Sequence, residues 1–167
     1  MDFQKELIAE YDREIVTTRK IFEAIPADAD FTYQPHPKSM SLGRLAGHLA
    51  ETAGEWALTT FTTDKLEFPA DHVFERWVPA STHALLERFD REITQAKAAL
   101  AGLAPAKWDE NWKFVFGDQA FIDDTKYRVF RDWVLNHLIH HRAQLGVYLR
   151  LLNKPVPGTY GPSADET

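Results

Sequence analysis

The chain carries seven histidines, His36, His48, His72, His83, His137, His140 and His141, and no cysteine. His137 and His141 stand four residues apart, which on a helix puts both rings on one face, one turn apart. The residues around them recur at helical spacing: Phe130, Val134, Leu138, His141, Leu145, Tyr148 and Leu152 form an apolar stripe. His141 lies in the middle of that stripe and His137 at its edge, about 40° away. A neutral imidazole turned into a core needs a partner for each ring nitrogen. Two such rings side by side are costly unless one group binds both, and a divalent metal ion does so. His48 repeats the placement, bordering a stripe of Leu45, Leu49 and Thr52 on another helix. Three imidazoles with no thiol suit Zn²⁺, Ni²⁺ or a similar ion better than Ca²⁺ or Mg²⁺. Three protein ligands leave one coordination position for water or a substrate.

The bland reading has each inward histidine hydrogen-bonded to backbone or a carboxylate, and with seven histidines one pair at this spacing is a weak motif. His140 could replace His141 as ligand or hydrogen-bond beside it; the wheel favours His141. Gln144 is placed to fix a ring or a water. Arg142 reads as a surface salt bridge or, less simply, an anion site. His36, between Pro35 and Pro37, reads as structural or exposed, and His72 and His83 as solvent-facing. No inward carboxylate stands out. Gly-rich phosphate loops and nucleophile elbows are absent, and Leu138 after His137 breaks any H-E-x-x-H pattern. No side chain is therefore assigned a catalytic role.

The elements that must hold these residues are helices. Apolar residues recur every three or four positions over about residues 2–25, 42–61, 81–103 and 125–152. Ser41 reads as an N-cap, and Pro26, Gly102 and Pro105 as stops. Gly43, Gly47 and Gly54 inside the second pattern are tolerable if another part of the chain approaches closely. Residues 62–79 read as a loop. Trp112, Phe114 and Phe116 alternate with Lys113 and Val115 before Gly117-Asp118, which leaves room for a short β-hairpin. The tail after Asn153 is rich in Pro and Gly and reads as extended. The expected class is all-α, a four-helix bundle, with a short hairpin before the last helix.

At 167 residues and 44% hydrophobic content, one domain over residues 1–167 is expected. The net charge of −6 with no basic run argues against nucleic acid and acidic membrane surfaces as partners. No signal peptide or membrane-spanning run is legible, so the expected compartment is the cytoplasm. With no cysteine, the protein itself supplies no nucleophilic thiol.

Ser41-Leu42-Gly43-Arg44-Leu45-Ala46-Gly47-His48-Leu49-Ala50-Glu51 resembles the second-helix motif of the DinB-like (YfiT-like) metal-binding bundles. Asn136-His137-Leu138-Ile139-His140-His141-Arg142-Ala143-Gln144-Leu145, running on to Tyr148-Leu149-Arg150, is similar to their fourth-helix signature, and Pro155–Pro162 to the tail of one branch. The likeness runs over essentially the whole chain. It implies an up-down-down-up bundle, metal ligation by His48, His137 and His141, Zn²⁺ or Ni²⁺ as the ion, and commonly a homodimer. Characterised members of the family activate a low-molecular-weight thiol for S-transfer or isomerisation, and others are known as stress-induced proteins. The function implied is metal-dependent thiol S-transfer on a small-molecule substrate. The alternatives are a metal-dependent hydrolase and a non-catalytic metal-binding stress protein.

Overall fold

Each long helix begins where a short polar side chain can take up a free backbone N–H. In the computed structural model, which describes residues 2–166, Asp2 caps α1 (Phe3–Glu23) and Ser81 caps α3 (Thr82–Gly102). Ser41 caps α2, residues 42–62, and Thr125 caps α4, residues 126–151. Neither α2 nor α4 is regular throughout. In α2 the α-helical Leu42–Glu51 and Ala57–Thr62 are separated by a π-helical turn, Thr52–Trp56. In α4 a π-helical stretch, Phe130–Asn136, precedes the regular His137–Leu151. Single π turns cluster at functional sites. These two pack against each other, with His48 one turn before the first and His137 immediately after the second.

The chain is not all-α. A three-stranded mixed sheet of order β1-β2-β3 lies against the helices. The antiparallel pair β2 (Asn111–Phe116) and β3 (Gln119–Thr125) is the hairpin that the alternation around Trp112 left room for, turning at Gly117 with φ +58°. β1 (Lys65–Phe68) is unheralded. It has four residues, falls in the stretch read as loop, and pairs parallel with β2, so that Leu66, Phe114 and Ile122 line up across the sheet. A parallel partner lies far away in sequence, and local pattern does not reveal it. The expected all-α class therefore gives way to four long helices plus a sheet, in which the hairpin was foreseen and the third strand was not.

The sheet is fastened to the helices that carry the histidines. Trp112 and Ile122 pack on Val129 of α4. Lys126, 1% exposed, donates from Nζ to the Thr63 carbonyl at 2.6 Å and to Asp64 Oδ1 at 3.1 Å, tying the start of α4 to the end of α2. Between the helices the core is dense in rings: Phe22 meets Phe89 edge-on at 5.1 Å, and Tyr11 meets Phe130 at 5.7 Å. The Tyr11 hydroxyl donates to the Ala53 carbonyl at 2.6 Å, giving a buried oxygen of the π turn its partner. Gly47 is required by closeness: a Cβ there would come within 2.6 Å of the Trp77 carbonyl oxygen. No helix among the described residues is long and apolar enough to cross a membrane.

Candidate metal centre

The regular second half of α4 sets His137 and His141 one turn apart, and α2 brings His48 against them. The three Nε2 atoms converge. His137 Nε2 lies 3.3 Å from that of His48 and 2.8 Å from that of His141, and one ligand atom from each ring lies within 4.8 Å of the others. His141 is buried, with 7% exposed, while His48 and His137 are half-buried. These three could hold a metal ion.

The proton count supports that fit. Gln144 Oε1 stands 2.8 Å from His141 Nδ1, so Nδ1 carries the hydrogen and Nε2 is bare. His137 hydrogen-bonds to the Trp133 backbone, and with its Nε2 turned to the other rings that proton sits on Nδ1. Two bare nitrogens then face each other at 2.8 Å, an arrangement that repels unless a cation lies between them. A proton is a poor occupant. Burial, with the neighbouring His48, lowers the pKa of His137, and burial takes His141 down to about 4 against the opposing Gln144 bond. In a tetrahedral site with nitrogens about 2.0–2.1 Å from the ion, ligand atoms stand roughly 3.3 Å apart. The His48–His137 spacing matches this, and the His137–His141 spacing must open by about 0.5 Å.

On the His141 side the cluster borders a cavity of about 390 Å³, lined by Lys38, Ser39, Met40, Leu45, Gln144, Val147 and Tyr148 as well as His141. The Tyr148 hydroxyl donates to the Met40 carbonyl at 2.8 Å and holds the residue 36–40 loop over it. The other side is a shallower cleft of Asp132, Trp133, Asn136, His137 and His140. His140 is exposed, its ring 4.8 Å from that of His141, and it stands outside the converging three. His36 and His83 are exposed and outside the converging three, and His72 stacks on Phe68 at 4.3 Å.

Several polar residues at and near the centre escaped the sequence pattern. Arg44 donates to Glu51 Oε2 at 2.8 Å and to the Trp77 carbonyl at 2.9 Å, and its Nη2 lies 3.3 Å from His48 Nδ1. Glu51 Oε2 is 3.7 Å from the same Nδ1. Burial pushes the Glu51 carboxyl up, but His48 and Arg44 more than reverse it, leaving the pKa below the ordinary value. No inward carboxylate stood out in the sequence, and Glu51 is one. Arg142 is likewise no surface group. It is 2% exposed and pairs with Glu14 of α1 at 2.6 Å, with further bonds to the Thr18 and Tyr160 hydroxyls at 3.2 and 2.8 Å. The spacing of Arg44, His48 and Glu51 at i, i+4 and i+7 was the available signal for the first group. Nothing local announces Glu14 as the partner of Arg142.

A model of the DinB family matches residues 1–167. Among solved structures, a DinB-like protein from Bacillus cereus shares 21% identity, with 90% of this chain and 93% of that one covered, at a TM-score of 0.67. A DinB-like protein from Bacillus subtilis shares 17% over 97% of this chain and 99% of its own, at 0.66. A protein from Exiguobacterium sibiricum, described as a member of the DinB family, shares 23% over 100% and 99%, at 0.62. At these identities the structures speak for a shared fold alone. No curated protein matches the chain significantly.

Proposed function

The chain belongs to the DinB family, and from that premise we propose that it is a divalent-metal-dependent enzyme that activates a low-molecular-weight thiol for S-transfer. The observation that carries the reading is the convergence of three Nε2 atoms beside an open cavity. Zn²⁺ and Ni²⁺ are the ions that the donor set suits. Such an ion, when bound, lowers the pKa of a coordinated thiol, so that thiolate forms near neutral pH.

The remaining work falls to side chains of the chain itself. His48, His137 and His141 would hold the ion. Gln144, accepting from His141 Nδ1, fixes that ring and keeps its Nε2 bare. The cavity wall of Met40, Leu45 and Val147 receives an aliphatic body, and Lys38 at the rim offers a cation to an anionic group of the substrate. With no cysteine in the chain, the thiol is a co-substrate rather than a protein nucleophile. Assembly as a homodimer and residence in the cytoplasm belong to the same reading. The test is Co²⁺-loaded protein titrated with cysteine, glutathione and other small thiols. A sulfur-to-metal charge-transfer band, and chelator-sensitive consumption of the thiol in the presence of an alkyl or aryl electrophile, are expected. Absence of both over the thiol panel refutes S-transfer. Ester or amide cleavage by the same preparation would replace it with hydrolysis.

A further inference from the structure

An imidazole that ligates through Nε2 must carry its hydrogen on Nδ1, and something must accept that hydrogen. At His141 the acceptor is Gln144, and at His137 it is the backbone of Trp133. At His48 two groups of opposite kind compete for Nδ1. Arg44 Nη2, a donor only, stands 3.3 Å away, and Glu51 Oε2, an acceptor when ionised, stands at 3.7 Å. The two choices select different tautomers. If Arg44 donates to Nδ1, the hydrogen moves to Nε2, which then points at His137 and cannot ligate. If Glu51 accepts from Nδ1, Nε2 is bare and faces the other two rings. Glu51 is 9% exposed and its Oε2 already accepts from Arg44 at 2.8 Å, which places an acceptor oxygen beside that ring.

We propose that Glu51 is a positioning residue of the metal centre: its carboxylate takes the Nδ1 hydrogen of His48 and so holds that ring in the ligating tautomer. The inference rests on the metal reading above. It requires Glu51 and His48 to close from 3.7 Å to ordinary hydrogen-bond length, a movement of under 1 Å. Arg44 then keeps two roles. It is the counter-ion of Glu51, and through the Trp77 carbonyl it pins the loop before α3 onto α2. It also supplies the competing donor, so the Arg44–Glu51 pair sets the balance between a closed three-histidine cluster and one open to metal.

The test is Zn²⁺ titration of the full chain against a chromophoric chelator, with ¹⁵N-histidine spectra of the metal-free protein read beside it. Arg44→Leu removes the competing donor and leaves Glu51 in place; its Zn²⁺ affinity should equal or exceed that of the unchanged chain, with His48 shifted toward the Nδ1–H tautomer. Arg44→Leu/Glu51→Leu removes the acceptor as well, without stranding a buried charge. It should bind roughly 10- to 100-fold more weakly than Arg44→Leu, as is typical when a partner behind a ligand is lost. Arg44→Leu/Glu51→Gln, which keeps an acceptor oxygen, should recover part of the difference. Equal affinity of Arg44→Leu and Arg44→Leu/Glu51→Leu overturns the proposal. So does a loss in Arg44→Leu as large as in the double variant, which would make Glu51 only an anchor for Arg44. If the unchanged chain binds no Zn²⁺, the metal reading itself falls and this inference with it.

Discussion

Lowering the pH of the metal-free protein from 7 to 5 should unfold it more easily, and His141 should account for a measurable share. Its pKa in the fold is about 4, against an ordinary value near 6.5, because burial and the adjacent rings disfavour its cation. Between those two values the unfolded chain binds a proton that the folded chain refuses. Stability therefore falls as pH falls through the window, at up to about 1.4 kcal/mol per pH unit, and levels off below pH 4. Integrated from pH 7 to 5, this one group gives an upper bound of about 2 kcal/mol, reduced by whatever screening the open side of the cleft supplies. For a chain of this length that is a fall in Tm of roughly 4–8 °C. His141→Ala removes the titrating ring. Its Tm should drop less over the same interval, leaving the smaller contribution of His137, whose pKa burial also lowers. Calorimetric melts in chelator at pH 7, 6 and 5, run on both proteins, measure the difference. The same pH dependence in both would refute the claim that His141 sits neutral in a site hostile to its cation. Greater stability of the unchanged chain at pH 5 than at pH 7 would refute the sign.

Other outcomes follow from the same geometry. His141→Ala should abolish most Zn²⁺ binding in calorimetric titration. His140→Ala, exposed and outside the converging three, should cost about tenfold at most; the reverse ranking would redraw the site around His140. Arg142→Met strands Glu14 in a buried interface and should lower stability by roughly 3–5 kcal/mol, as removal of one partner from a buried pair does. A urea midpoint that implies less than 1 kcal/mol would show that the pair stays hydrated in solution.

How much of this the sequence could show depends on the range of the interaction involved. The wheel reading of His137 and His141 works because His137–Leu151 is an unbroken α-helix, in which four residues make one turn. The stripe also holds a few residues earlier, where Phe130 and Val134 are both fully buried. What the spacing did not register is that Phe130–Asn136 is π-helical rather than α-helical. A periodicity count assumes one pitch and has no way to register such a stretch. The helix starts at Ser41 and near Ser81 were legible for the same local reason, since a cap bonds a backbone group three residues away. β1 was not, because what makes Lys65–Phe68 a strand is the edge of β2, whose paired residues lie 48 positions on.

The polar residues behind the three histidines show a second limit. Hydrophobic spacing says which faces avoid water; it does not say which charges meet across a face. Glu51 lies off the Leu45–Leu49–Thr52 stripe and would be read as solvated, yet Arg44 and His48 on the same helix hold it at the centre. Arg142 sits beside His141 and would be read as surface, yet Glu14 of another helix reaches it in the interior. Burial of a charge is affordable only with its partner present, so the two facts are one, and the partner is the half that spacing leaves out. The same logic bears on the metal centre. The three histidines could be picked out because an imidazole on an apolar stripe is anomalous by itself. The groups that stand behind those imidazoles, Gln144, Glu51 and the Trp133 backbone, are ordinary in type and become significant only through where they stand, at 2.8 Å from one Nδ1 and 3.7 Å from another.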